Sequence, residues 1–250
     1  MKKFLSVLAL SLLTAASGLC KPVSPVKAAH DASYHISFST VTDGDMCSAT
    51  AIGPHALLTA THCELPTDDV VIAVHNDTDD NDDIGHIVKR IRDQADHTIL
   101  FISGQSFPSW VDVNLTDPLE QNENVFSIGN PAEWTDVFYR GYIQGTQEDH
   151  SLAADFGVGS PDEVLLDFRV WHGDSGAGIF NDKGELIGVL TGIDHPAKDA
   201  PSAAFMYKMK LTPDQIAEAA KFTAPGFVPL PKKVKDSDDK DDKDDKDDSK

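Results

Sequence analysis

Basic residues are scarce in this chain: 21 Lys and Arg stand against 41 Asp and Glu, a formal net charge of −20. Phosphate backbones are bound by clustered positive charge, so a nucleic-acid partner is excluded. Aromatic residues make up only 8% of the sequence, yet 40% of it is apolar, which is ordinary for a globular core. Long apolar runs are missing too. The one candidate, residues 4–13 within MKKFLSVLALSLLTAASG, is too short to span hydrocarbon comfortably. Two lysines before it and small residues after it give the three-part layout of a secretory signal peptide, residues 1–18. The expectation is an exported protein, extracellular or periplasmic, with no membrane span. Cysteine is limited to three residues. Cys20 lies just past the expected cut, but Leu19 before it fits poorly with lipidation, which leaves a lipid anchor as the lesser alternative. In an exported chain, Cys47 and Cys63 favour a disulfide.

Helical periodicity is nearly absent. Only TPDQIAEAAKF carries it, with Thr212 as cap, Pro213 in the first turn, and Ile216, Ala219 and Ala220 on one face, a helix over 213–222. Residues 19–33 hold prolines and no apolar period, and read as a linker or pro-segment. From Tyr34 onward the texture is many short apolar runs, such as CSATAIG, ALLTA, HTILFIS, NVFSIG and LIGVLTGI, broken by turn residues. That pattern predicts an all-β barrel or sandwich. Residues 231–250 are a Lys/Asp repeat with too little apolar surface to offset ordering entropy, and are expected to be a disordered tail. HNDTDDNDDIGH concentrates five aspartates but lacks the glycine of an EF-hand loop. An acidic turn is expected there, with weak calcium binding as the lesser reading.

Three stretches carry chemistry. WHGDSGAGIF surrounds Ser175 with glycines, ALLTATHC ends an apolar run on His62, and ADHTILFI sets Asp96 before another. Each alone is weak. Together, in the order His62, Asp96, Ser175, they resemble the trypsin-like serine proteases of the chymotrypsin fold. LTATHC is similar to that family's Thr-Ala-Ala-His-Cys, DHTIL to its Asp-x-Ala-Leu-Leu, and GDSGAG to its Gly-Asp-Ser-Gly-Gly-Pro. The short path from His62 to Ser175 resembles the compact bacterial, glutamyl-endopeptidase-like branch.

The resemblance implies two six-stranded antiparallel barrels, about 34–113 and 125–209, within a protease domain spanning 34–230. It implies a peptide substrate and no cofactor. A serine hydroxyl needs a base of near-ambient pKa, which His62 supplies, and a carboxylate such as Asp96 fixes the imidazole tautomer. The N–H groups of Gly173 and Ser175 would form the oxyanion hole. Arg169, six before the nucleophile, would sit at the pocket base, with Leu190, Thr191 and Gly192 on the neighbouring wall. A positive charge at the base disfavours cleavage after Lys or Arg, so an acidic or medium-sized apolar residue is expected before the cut.

Two departures and one rival frame this reading. No Ile-Val-Gly-Gly precedes Tyr34, so Asp174 lacks the amine partner usual in the family, and Arg169, His172 or a different N-terminus are its candidate partners. An α/β-hydrolase elbow requires Gly-x-Ser-x-Gly and the order Ser, acid, His; Ala177 and the upstream His62 exclude it. A non-catalytic exported binding protein on the same fold is the remaining alternative, and a serine-directed phosphonate separates the two.

Overall fold

The computed structural model describes residues 23–38, 46–63, 70–74, 83–104, 106–146, 162–194 and 203–224. The signal segment, Cys20, the centre of the acidic loop, His195 and the Lys/Asp tail lie outside the described residues.

Two closed antiparallel barrels form the molecule. The first contains β1 (Ser33–Phe38), β2 (Cys47–Gly53), β3 (Ala56–Ala60), β4 (Val70–Val74), β5 (Asp83–Arg92) and β6 (His97–Ser103), in the spatial order β1-β2-β3-β6-β5-β4. The second contains β7 (Asn124–Gly129), β8 (Val137–Thr146), β9 (Glu163–Leu166), β10 (Gly178–Asn181), β11 (Leu186–Asp194) and β12 (Ala203–Tyr207), ordered β10-β11-β12-β9-β8-β7. Closure removes the unpaired edges that an open sheet of such short strands would leave.

Strand alternation explains why the second barrel reads as continuous apolar runs. Val125, Ile179, Ile187 and Leu190 fill that barrel's own interior. Their chain neighbours Phe126, Phe180, Leu186 and Val189 join the core of the first barrel instead. Successive side chains of a strand point to opposite faces, so strands between two cores are apolar on both. Phe126 and Phe180 stack at this seam, with ring centroids 5.2 Å apart. The cleft between barrels therefore rests on a packed hydrophobic contact.

Helix α1 (Pro25–Asp31) forms within residues 19–33, the stretch that the sequence reads as a linker or pro-segment. Ser24 caps it by accepting the Lys27 N–H at 3.2 Å, and Pro25 occupies the first turn. Only Ala29 and Ala32 are buried, both completely, so the segment packs without showing an apolar period.

Helix α2 (Pro213–Lys221) forms where the sequence places it, with a reciprocal capping box between Thr212 and Gln215. Ala219 is buried against β2, where a Cβ on Gly53 would lie 2.2 Å from the Ala219 carbonyl oxygen. Ala220, expected on that face, is exposed; Phe222 supplies the contact, its ring 5.0 Å from Phe101. Among the described residues no helix is long and apolar enough to cross a membrane.

Candidate active site

The histidine loop leaves β3 as a single tight turn, Thr61–Cys63, and a Cys47–Cys63 disulfide ties that turn to the start of β2. Asp96 lies across from it, just before β6. Its carboxylate accepts the His62 backbone N–H at 2.9 Å and faces His62 Nδ1 at 2.7 Å. Thr61 N–H donates to the Asp96 carbonyl at 2.9 Å. A carboxylate that accepts from Nδ1 fixes that nitrogen as the donor and leaves Nε2 for a second partner. Asp96 adopts φ 65°, a left-handed conformation rare for a residue with a Cβ.

Ser175 is delivered by the second barrel onto the same turn. Its carbonyl accepts the Ser48 N–H at 2.7 Å and lies 3.6 Å from Cys63 Sγ, the neighbour of His62. Among the described residues the Ser175 hydroxyl makes no hydrogen bond to His62. Such contacts are commonly long in unliganded sites and tighten when substrate binds.

Glycine is required on both sides of the serine. Gly173 has φ 100°, and a Cβ there would meet the Asn130 carbonyl oxygen at 2.4 Å. Gly176 has φ 83°, and a Cβ would meet the Ser48 carbonyl oxygen at 2.1 Å. Two anchors hold the Gly173 peptides. The His172 carbonyl accepts the Ala132 N–H at 2.8 Å, and the Gly173 carbonyl accepts the Ser48 hydroxyl at 2.9 Å. In a trans peptide the N–H points opposite to its carbonyl, so the first bond turns the Gly173 N–H away from Ala132. Among the described residues, neither the Gly173 nor the Ser175 N–H donates to a protein acceptor. Both are available to a developing oxyanion.

Asp174, fully buried between them, finds its partner in neither Arg169 nor His172. Tyr139 Oη donates to its carboxylate at 2.9 Å and Trp171 N–H at 2.8 Å. Burial raises its pKa from 3.8 to about 6, against the lowering effect of those two bonds. Burial and the adjacent Asp174 carboxylate push the Tyr139 hydroxyl well above the usual phenol range.

The expected pocket residues separate. Arg169 is exposed to solvent. Leu190 is 2% exposed and belongs to the interior of the second barrel rather than to a wall. Its backbone still matters, because its carbonyl accepts the Gly176 N–H at 2.8 Å. Thr191 is half-buried, and its hydroxyl has no hydrogen-bond partner among the described residues. Gly192 lies against the Phe205 ring, where a Cβ would come within 3.2 Å. Among the described residues no cluster of His, Cys, Asp and Glu is arranged to hold a metal.

Four supporting residues escape a motif search. Ser48 grips the nucleophile turn from two sides, Tyr139 holds Asp174, and Asn130 and Ala132 back the Gly173 peptide. Only Ser48 carries a trace in the sequence, a polar residue inside the apolar strand CSATAIG.

Residues 47–189 match the family profile of the trypsin-like peptidase domain. The chain belongs to that family, and is a serine-type peptidase of the chymotrypsin-like fold. Among solved structures it is similar to an inactive form of Rv3671c from M. tuberculosis H37Rv, at 18% identity and TM-score 0.57, covering 78% of this chain and 89% of that one. The HtrA-type protease AlgW, solved with a tripeptide, is similar at 21% identity and TM-score 0.61, covering 79% of this chain and 62% of that one. The serine endoprotease from Yersinia pestis matches at 19% identity and TM-score 0.54, covering 75% of this chain and 63% of that one. The chain thus spans under two thirds of these last two proteins. At such identities the likeness speaks for the fold. No curated protein matches the sequence.

Proposed function

We propose that the protein is an exported serine endopeptidase in which Ser175 attacks the peptide carbonyl, His62 accepts its proton and Asp96 orients the imidazole. The observation that carries this is the His62 Nδ1–Asp96 contact of 2.7 Å beside a serine whose own N–H, like that of Gly173, meets no acceptor among the described residues. Attack forms the Ser175 Oγ–carbon bond while the hydroxyl proton passes to His62 Nε2. The carbonyl oxygen, now negative, takes the Gly173 and Ser175 N–H groups; one such donor is worth ~2.7–4 kcal/mol in comparable sites. His62 then returns the proton to the leaving amine, and water repeats the sequence on the acyl-enzyme. Serine, imidazole and carboxylate complete this cycle without a cofactor.

The Ser48 hydroxyl and the Asp174–Tyr139 pair keep the Gly173 turn in place before substrate arrives. This supports activity without a newly freed N-terminal amine. For the residue before the cut, the positions that the family resemblance assigns to the pocket carry no carboxylate: Leu190, Thr191 and Gly192 are neutral, and Arg169, exposed to solvent, brings a positive charge. Cleavage after Lys or Arg is disfavoured, and an acidic or medium-sized apolar residue is preferred. Export follows from the signal-like residues 1–18, and N-terminal sequencing of the cell-free product tests it. Peptide-library profiling tests the specificity: dominant cleavage after Lys or Arg would refute it. Catalysis is tested with Ser175→Ala and His62→Ala. Each should remove nearly all hydrolysis, and the double variant should be little worse than either single one, because the residues act as a unit.

A further inference from the structure

A second Asp–His pair straddles the proposed catalytic carboxylate, with Asp93 three residues before Asp96 and His97 directly after it. Asp93 faces His97 Nδ1 at 2.9 Å, and the two side chains are 3% and 0% exposed. The Asp93 carboxylate accepts three further N–H groups: Ala95 at 2.8 Å, His97 at 3.0 Å and Lys210 at 2.7 Å. Burial would raise its pKa, but the bond and charge of His97 and the N–H groups of Lys210 and His97 outweigh burial and hold it below the ordinary value. His97 cannot do the work of His62. Its Nε2 is buried and without a partner among the described residues, so no substrate proton reaches it.

What this carboxylate joins is more telling. Asp93 N–H also donates to the His97 carbonyl at 3.0 Å, closing the turn 93–97 around Asp96. Asp96 stands inside that turn at φ 65°, a conformation that surrounding bonds must enforce. The Lys210 N–H comes from the crossing segment that leaves β12 of the second barrel and re-enters the first-barrel core at Leu211. That segment is tied to the second barrel by Lys208 N–H on the Asp162 carbonyl, 2.7 Å, and by Lys210 Nζ on the Asp162 carboxylate, 2.7 Å. One buried carboxylate therefore holds the Asp96 turn and the strap between the barrels together. Ser175 is carried on one barrel, His62 and Asp96 on the other.

We infer that Asp93, with His97, is a positioning residue: it holds Asp96 in its strained conformation and in register with the barrel that carries Ser175. This rests on the reading of Asp96 as the residue that orients His62. Asp93 touches no substrate and acts only through Asp96. Misplacing a catalytic group by about 1 Å costs ~10²-fold in rate, and that is the scale to expect.

The test compares full-length Asp93→Asn, Asp96→Asn and the double variant, with His97→Leu and His97→Asn, all assayed well below their melting temperatures. Asparagine at 93 sets an amide NH₂ against N–H donors. The expected result is a fall of about 10²-fold in kcat with KM unchanged within about twofold. In the Asp96→Asn background, Asp93→Asn should cost nothing more. Leucine at 97 keeps the burial and deletes the donor, so kcat should drop; asparagine at 97 can donate from near the Nδ1 position and should restore most of it. Normal kcat in folded Asp93→Asn, or losses that multiply in the double variant, would overturn the inference. So would equal behaviour of the two His97 variants, which also decide the matter if Asp93→Asn does not fold. Undiminished turnover in Asp96→Asn overturns the Asp96 assignment and this inference with it, and is recognisable because it appears without any change at 93.

Discussion

Replacing Tyr139 by Phe deletes one oxygen and leaves the packing of the ring, so it isolates the bond that holds Asp174. The Tyr139 hydroxyl donates to that fully buried carboxylate at 2.9 Å, and among the described residues the only other donor to it is the Trp171 N–H. A hydrogen bond to a charged group contributes ~1.5–3 kcal/mol, a bond between neutral groups only ~0.5–1.5 kcal/mol. Because the Asp174 pKa is raised to about 6, the carboxylate is ionised at pH 7.5 and mostly protonated at pH 5. The Tyr139 bond favours the ionised form. Its contribution is therefore greatest above pH 6 and shrinks as pH falls through that value. Urea unfolding of the two proteins should give a difference of ~1.5–3 kcal/mol at pH 7.5 and roughly half of that at pH 5. The same variant should lower kcat at pH 7.5, since Asp174 lies between the two proposed oxyanion donors. An equal loss at both pH values, or a larger one at pH 5, would refute the coupling between Tyr139 and the Asp174 carboxylate.

Asp174 itself makes a contribution of unusual sign. Its folded pKa lies above the ordinary 3.8, so the native state binds more protons between pH 4 and 6 and loses stability as pH rises across that window. Asp174→Asn should flatten this part of the stability–pH curve, and an unchanged slope would contradict the raised pKa. Gly173→Ala should cost at least 10²–10³-fold in kcat, through the lost donor geometry at φ 100° and the clash with the Asn130 carbonyl, and near-normal turnover would exclude Gly173 from the oxyanion hole. Replacing Cys47 and Cys63 by serine should destabilise by roughly 3 kcal/mol in denaturant unfolding, as expected for a loop of this length, and loosen the His62 turn. An unchanged midpoint would show that the disulfide does not constrain the unfolded chain.

The residues proposed to do the chemistry stand out because each sits in a local signature: His62 beside Cys63, Asp96 before an apolar strand, Ser175 among glycines. The parts that position them were not, because their meaning lies in long-range pairing. Ser48 and Gly173 are 125 positions apart, Tyr139 and Asp174 are 35 apart, and Asp93 meets Lys210 across 117. Nothing in the sequence near Tyr139 marks its hydroxyl as the partner of a carboxylate. The all-β architecture and α2 followed from periodicity. Helix α1 did not, since a seven-residue helix that meets the core only through Val26 and Ala29 shows no apolar stripe. Leu190 was misplaced for a related reason. Its place on the pocket wall was implied by the resemblance alone, and in a strand buried on both faces alternation could not check it; the structure turns Leu190 toward the second-barrel core.

The central claim is that Ser175 is a nucleophile activated by His62. It is tested most directly by exposing the native protein to a fluorophosphonate and locating the adduct by intact mass and peptide mapping. A single adduct on Ser175 is expected, absent in Ser175→Ala and strongly slowed in His62→Ala. Labelling that is absent in the native protein, falls on another residue, or proceeds equally fast without His62 would contradict the account.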